Sequence, residues 1–179
     1  METPRLVIRE LVESDWELVH AYASDLEAVK YMEWGPNTSE QTREFVGDAI
    51  RASKALPRID YHLAIGLRGT GELIGSCRIG INNSNNRGAD IGYSLRKNEW
   101  GKGYATEAAL ALLEYGFNSL KMHRIMATTH PLNKASGRVL EKAGFRYEGR
   151  RREDKLVRGE WRDTLVFSIL EQDWAKRIG

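Results

Sequence analysis

The sequence predicts an α+β fold built on a mostly antiparallel sheet, and three observations carry that prediction. The hydrophobic period changes within residues 89–117: Ile91, Tyr93 and Leu95 alternate as in a strand, Leu110, Leu113, Glu114 and Phe117 recur as on a helix, and a Gly-rich turn at 100–105 separates the two. Two capping boxes, Ser14 with Glu17 and Thr38 with Gln41, mark the starts of early helices. Two apolar runs, 61–67 and 73–81, flank the loop Arg68-Gly-Thr-Gly-Glu72, a hairpin signal that makes those strands antiparallel. With 179 residues, 41% of them hydrophobic, and no linker, repeat or low-complexity tract, the chain reads as one globular domain over residues 1–179.

The elements follow in order. Leu6, Ile8 and Leu11 alternate with charged residues, giving a half-buried first strand. A helix runs from the Ser14 box to about Ala23, a short helical piece covers 26–32, and Gly35-Pro36 stops it. The helix opened by Thr38 puts Phe45, Val46, Ala49 and Ile50 on one face. Beyond the hairpin, the polar tract 82–88 turns the chain into the strand 89–96 as a further antiparallel partner. After the central helix comes a short strand, 124–129, closed by Pro131. A helix then starts at Asn133 or at Ala135–Ser136 and stops at Gly144. Residues 145–147 and 164–170 read as two closing strands around a turn at Gly159.

The junction at 100–105 carries the chemistry. The first turn of a helix leaves backbone N–H groups without partners, its dipole adds about half a positive charge, and glycines let an oxygen-rich ligand approach, so the expected guest is a phosphate or pyrophosphate. A dinucleotide fingerprint fits badly, because Thr106 stands where the third glycine belongs and the strand from His123 to Thr129 carries no acidic residue. A nucleotide-triphosphate loop fits no better, because Gly103 rather than Ser or Thr follows Lys102. The hexapeptide from Trp100 to Ala105 resembles the coenzyme A pyrophosphate loop of the GNAT N-acetyltransferase superfamily, Gln/Arg-x-x-Gly-x-Gly/Ala. Gly103 and Ala105 match the last two places, and Trp100 departs at the first. That departure, with the Tyr-Ala-Thr-Glu-Ala continuation, is similar to the Rim-type branch named for ribosomal-protein N-terminal acetyltransferases. About thirty residues on, Asn133-Lys-Ala-Ser136 with Lys142-Ala-Gly-Phe145 downstream resembles the second coenzyme A motif of the superfamily, and Gly159-Glu-Trp-Arg-Asp163 also looks Rim-type.

The resemblance spans essentially the whole chain. It implies the acyl-CoA N-acyltransferase fold: a twisted, mostly antiparallel sheet, splayed at one parallel strand pair and flanked by helices. It implies acetyl-CoA as co-substrate and direct transfer of the acetyl group to a primary amine, either a protein or peptide N-terminal α-amine or a small amine. It assigns the pyrophosphate to backbone N–H groups of Gly101, Lys102, Gly103, Tyr104, Ala105 and Thr106, with Trp100 at the mouth. The remaining phosphate charge falls to Lys102, Lys134 and Arg138, and the amide-rich pantetheine arm to Asn133 and to free backbone groups of Tyr93 and Leu95 in the splay. The acceptor belongs beside the early helices, with Trp34 and Asp90 as contacts. Many superfamily members place a Tyr four residues after the Ala/Ser of the second motif; here that place is Leu140, so Ser136 is the nearest donor for the departing thiolate. Thr128 stands where some relatives carry a carboxylate base, so Asp90 is the expected base, acting through water.

Composition narrows the rest. A net charge of +2 argues against direct nucleic-acid binding, although Arg150, Arg151 and Arg152 are locally basic. The single Cys77 lies in an apolar run and reads as core, which points to a reducing compartment. Without a signal-peptide pattern or an apolar stretch near ~20 residues, the expectation is a cytoplasmic protein with no membrane partner. His20, His62, His123 and His130 show no ligand spacing with Cys or carboxylates, so no metal is expected. The partners are then acetyl-CoA and an amine, and Trp161 and Trp174 serve either the core or a homodimer interface. The alternative function is a non-catalytic acyl-CoA-binding regulatory module, and a nucleotide- or RNA-binding module is the third.

Overall fold

The computed structural model describes residues 1–178. Its elements are β1 (Leu6–Glu10), α1 (Trp16–Ala23), α2 (Leu26–Val29), α3 (Ser39–Ser53), β2 (Asp60–Leu67), β3 (Leu73–Asn83), β4 (Gly88–Leu95), α4 (Tyr104–Glu114), β5 (Arg124–Thr129), α5 (Lys134–Ala143), β6 (Arg146–Val157), β7 (Glu160–Leu170) and α6 (Glu171–Ile178). The strands form one sheet in the order β1-β2-β3-β4-β5-β7-β6. Every neighbouring pair is antiparallel except β4 and β5. Among the described residues no helix is long and apolar enough to cross a membrane.

Strand alternation sends alternate side chains to opposite faces, and both faces are covered. Leu63, Ile65, Cys77, Ile79, Ile91 and Ile125 pack with Leu112 and Leu113 of α4 and Leu140 of α5. On the other face Ala64 and Leu73 meet Val19 and Tyr22 of α1 and Val46 and Ala49 of α3. The Thr38 box forms as read: Gln41 N–H donates to Thr38 Oγ1 at 3.3 Å, and Thr38 N–H to Gln41 Oε1 at 2.8 Å. The Ser14 box does not form. A 3-10 turn at Glu13–Asp15 precedes α1, and Asp15, buried, accepts Val12 N–H at 2.9 Å and two bonds from Arg9 at 2.6 and 2.8 Å. That bidentate pair gives the carboxylate more than an exposed cap would. The closing strands are also longer than their apolar residues suggested. Most of β6 is an exposed, charged edge strand, paired to β7 through Arg150 and Asp163, and such an edge carries no apolar alternation to read.

The parallel pair sets the geometry of everything that follows. β4 and β5 are in register at Gly88–Arg124, Ala89–Ile125 and Asp90–Met126, and no further. Yet β4 stays paired with β3 to Leu95, and β5 with β7 to Thr129. The two strands therefore part after Asp90, each held on its outer side. The backbone of β4 from Ile91 to Leu95 has no strand partner toward β5.

The Gly-rich turn enters α4 through two left-handed residues, Gly101 at φ 76° and Gly103 at φ 87°, a region where side chains cost about 1–2 kcal/mol. A clasp from the residues just before β1 holds this turn. Glu107, in the first turn of α4, accepts the Thr3 hydroxyl at 2.6 Å, Arg5 N–H at 2.8 Å and Arg5 Nε at 2.7 Å, while Arg5 Nη1 donates to Lys102 C=O at 2.9 Å. Burial alone would raise the Glu107 carboxyl, but the bonds from Thr3 and Arg5 outweigh it and hold the group below its usual range. A carboxyl depressed on folding stabilises the native state above its unfolded pKa, about 4.3, and loses that stabilisation as the pH falls through the folded value. Glu107→Gln is therefore expected to cost about 1–3 kcal/mol at pH 7. In urea unfolding, the gap between wild type and variant should shrink as the pH falls below about 4.3.

Candidate active site

The opening between β4 and β5 is met from one side by the N-termini of α4 and α5, which enclose a cleft of about 440 Å³. Its wall takes Gly101, Gly103, Tyr104, Ala105 and Thr106 from the start of α4 and Tyr93 and Leu95 from β4. From α5 and its approach it takes Asn133, Lys134, Ser136 and Arg138. The orphan N–H groups, the helix dipole and the left-handed glycines thus face one space, which suits a pyrophosphate. Trp100 stands at the mouth, 48% exposed, and its indole N–H donates to Leu95 C=O at 2.9 Å. One lone pair of the Leu95 carbonyl is thereby used, which leaves the other for a ligand arm.

Lys102 departs from the sequence reading. It does not line the cleft, its ammonium sits 3.0 Å from Glu99 Oε2, and its carbonyl is held by Arg5. Its place is taken by Lys142, which sequence reasoning missed although Lys134, Arg138 and Lys142 follow each other at four-residue spacing along one face of α5. None of these three has a carboxylate within ion-pair distance among the described residues, so their charge is available to an anion. Asn133 is the N-cap of α5: its Oδ1 accepts Ser136 N–H at 3.1 Å. Its amide N–H pair is what remains for a ligand.

Ser136 meets a partner that the sequence reading used only for its backbone. The Tyr93 hydroxyl lies 3.1 Å from Ser136 Oγ, across the gap between β4 and α5. Burial pushes the Tyr93 phenol up to about 12, so it is protonated at neutral pH and can donate. The signal was present: Tyr93 shares the period-two face of Ile91 and Leu95, which is the face toward α5.

On the opposite side of the opening lies a second cavity of about 230 Å³, which shares Tyr31, Met32, Tyr93, Ser94, Asn133 and Ser136 with the first. Trp34 lines it, as does Phe45 of α3. Cys77 also touches it, but burial pushes its thiol up to about 12, which leaves no thiolate for a covalent acyl step. Ser94 Oγ is buried with no hydrogen-bond partner among the described residues. Asp90 lines neither cavity. Its carboxylate pairs with Arg78 Nη1 and accepts Asn82 Nδ2 at 3.3 Å, and Arg78 Nε reaches Asp60 Oδ1 at 2.7 Å. Arg78 can fold back this way because Gly80 leaves room: a Cβ there would coincide with the guanidinium. The geometry therefore supports Asp90 as an anchor for Arg78 and not as the base.

The histidines are better partnered than their spacing suggested. His20 bonds Thr42 at 3.0 Å, and His123 lies 2.9 Å from Glu171 at the far end of β5. Two line the second cavity. His130 stacks on Tyr31 with 5.2 Å between ring centres, and its Nδ1 accepts Leu132 N–H at 3.1 Å. Burial and then Arg162 lower its pKa, which favours the neutral ring. His62 has its Nε2 3.2 Å from Asp60 Oδ2 and its ring edge-on to Phe45 at 5.3 Å. A carboxylate two residues before a His on a strand shares its face, so this pair was legible in the spacing Asp60-Tyr61-His62.

Comparison with known proteins agrees with this geometry. The family model for the acetyltransferase (GNAT) domain matches residues 5–146. An uncharacterized N-acetyltransferase of Bacillus licheniformis is 34% identical over 174 residues, covering 97% of each chain. A ribosomal-protein-alanine N-acetyltransferase of Escherichia coli is 38% identical over 84 residues, 47% of this chain and 43% of that one. The crystal structure of a GNAT-family acetyltransferase from Bacillus anthracis is 37% identical, covers 96% of this chain and 98% of its own, and superposes with a TM-score of 0.84. With the cleft, the splayed strands and both motifs in place, the chain belongs to the GNAT family of acetyltransferases and is an acetyl-CoA-dependent N-acetyltransferase.

Proposed function

We propose that this enzyme acetylates an α-amine, at a peptide or protein N-terminus or on a small molecule, in preference to lysine side chains or polyamines. The observation that carries the reading is the lining of the second cavity. It opens onto Tyr93 and Ser136 where the two cavities meet, and its charged or titratable side chains include Arg78, His62 and His130 but, among the described residues, no carboxylate. A polyamine's second ammonium would find no countercharge there, whereas a peptide carbonyl can accept from the N–H that the neutral His130 ring presents. Deprotonation favours the same acceptors. Neutralising an α-amine of pKa about 7.7–8.0 at pH 7 costs about 1–1.4 kcal/mol, against about 4.6 for a lysine near 10.4. An alanine α-amine, the acceptor named for the Escherichia coli relative, belongs to the favoured class. The reading includes direct transfer, the cofactor phosphates on α4 and α5, and a cytoplasmic enzyme. It also includes a homodimer formed through Leu156 and Trp161, an exposed pair facing each other across β6 and β7; Trp174 is buried against Phe117 and serves the core.

The test is thiol release from acetyl-CoA with a panel of amines. Peptides with Ala or Ser first are expected to exceed N-terminally blocked lysine peptides and polyamines in kcat/KM by at least about tenfold, as a difference above 1.4 kcal/mol requires. Preference for a polyamine would overturn the acceptor assignment. Gly103→Val should lower acetyl-CoA affinity more than about tenfold by calorimetry, on protein still folded by circular dichroism, because the loop loses its left-handed residue. Tyr93→Phe and Ser136→Ala should each lower kcat about tenfold, the scale of one hydrogen bond to a developing anion. Because the two hydroxyls act as one unit, the double variant should fall little below either single one.

A further inference from the structure

We propose that His62, held by Asp60, takes the proton from the acceptor amine in place of Asp90. The assignment rests on the acetyltransfer reading above and adds to it the group that makes the amine a nucleophile.

A base needs a lone pair, and ring partners decide which histidine has one. At His62 the carboxylate of Asp60 accepts from Nε2, so the neutral ring carries its proton there and leaves the Nδ1 lone pair free; Nδ1 has no partner among the described residues. Asp60 is fit to hold that tautomer. Burial would raise its carboxyl, but the bond from His62 and the charge of Arg78 hold it below the usual carboxylate range, so it is ionised at neutral pH. His130 shares the cavity, yet its Nδ1 already accepts Leu132 N–H, so its neutral ring presents an N–H and acts as a donor. His20 and His123 line neither cavity.

His62 and the opening belong to one cavity, and strand register relates them. His62 on β2 is in register with Arg78 on β3, and Arg78 with Gly92 on β4. At about 4.8 Å per strand this puts Gly92 roughly 10 Å from His62, a span for an imidazole and one or two waters. Arg78 would block that floor if it stood upright, but it lies over Gly80, tied to Asp60 and Asp90. Gly92 adds nothing to the floor, since even a Cβ there would meet no atom within 4 Å. At the far end stands the unpartnered Ser94 hydroxyl, which can both accept and donate.

The step balances as follows. The acceptor ammonium gives one proton, through water and Ser94, to His62 Nδ1. The freed nitrogen lone pair forms the C–N bond to the acetyl carbon, and the C–S bond breaks with its electron pair on sulfur. As the amide forms, the nitrogen gives its second proton to the Tyr93–Ser136 pair, which passes one on to the thiolate and ends as it began. His62 then returns its proton to solvent.

The charged and titratable groups facing His62 are Asp60 on its own strand, Arg78 with Asp90 beyond it, and His130 across the cavity; α3 presents the uncharged Phe45. The experiment uses the full chain with an α-amine peptide that the wild type acetylates. His62→Gln is expected to lower kcat/KM for the peptide by about 100-fold, the lower range for a general base, and to abolish the acidic limb of the pH–rate profile. Its acetyl-CoA affinity should match wild type by calorimetry, and an acceptor of low pKa such as a hydrazide, already neutral at pH 7, should lose less than about threefold. Asp60→Asn should give a smaller loss, about tenfold, and shift the limb without removing it. In the wild type, the His62 ring followed by NMR should titrate at the acidic limb, a readout independent of whether a variant folds. A His62→Gln enzyme with the wild-type limb, equal losses on peptide and hydrazide, or a His62 titration away from the limb would overturn the assignment. Absence of thiol release from the wild type with every amine would instead remove the acetyltransfer reading on which it rests.

Discussion

The parting of β4 from β5 after Asp90 and Met126 is the constraint on which the rest of the molecule depends. Paired backbone is the rule inside a sheet, because each buried N–H or C=O left alone loses a hydrogen bond. Here both strands stay anchored on their outer sides, β4 by β3 and β5 by β7, so neither can close the gap. The opening is therefore part of the sheet's pairing pattern, and it leaves backbone groups of β4 without a strand partner. An amide-rich ligand arm laid along β4 satisfies those groups as a further strand would. The same opening fixes where α4 and α5 begin, since each follows one of the two parting strands and points its N-terminus at the ligand's phosphate end.

The opening also divides the enzyme electrically. On the α4–α5 side the orphan N–H groups and the row Lys134, Arg138 and Lys142, without carboxylate partners among the described residues, leave positive charge available to an anion. On the α1–α3 side Arg78 is neutralised by Asp60 and Asp90, and His130 is held neutral. Only Tyr93, Ser94, Asn133, Ser136 and the stretch at Tyr31 and Met32 belong to both sides. That stretch is itself held from β6–β7: Arg158 donates to Trp34 C=O at 2.8 Å and to Gly35 C=O at 2.6 Å. The exposed turn of the closing hairpin thus fixes one wall of the acceptor cavity, while Phe167 and Ile169 of β7 belong to the core beneath it.

What could be read in the sequence is what local physics decides. The strand–turn–helix at 88–114, the Thr38 box, the Asn133 cap and the Gly144 stop are set by residues a few places apart, and all appear where period and capping rules place them. The Ser14 box failed because a partner outside the local window, Arg9 on β1, claimed Asp15. β6 was invisible because a solvent-facing edge strand needs no apolar alternation. Among site residues, the left-handed glycines Gly101 and Gly103 at the entry to α4 were legible from the motif. Side-chain roles across elements were not, because Tyr93 and Ser136 are brought together only by the sheet's opening, and Lys102 is claimed by Glu99.

The reassignment from Asp90 to His62 follows from the same electrostatics. A carboxylate base inside the acceptor cavity would have to shed its hydration beside a substrate amine, and it would bind the ammonium form most tightly, which is the form that cannot react. A neutral imidazole avoids that trap: it takes a proton without offering the ammonium a countercharge, and becomes cationic only as the amine becomes neutral. The two carboxylates that the region does carry are then used at one remove. Asp60 supplies the charge that stabilises the protonated ring, and Asp90 offsets the positive charge of Arg78, which lies over Gly80 beside Asp60. Gly80 and Gly92 are small for the same reason, one to hold the displaced guanidinium and the other to leave the floor of the route open.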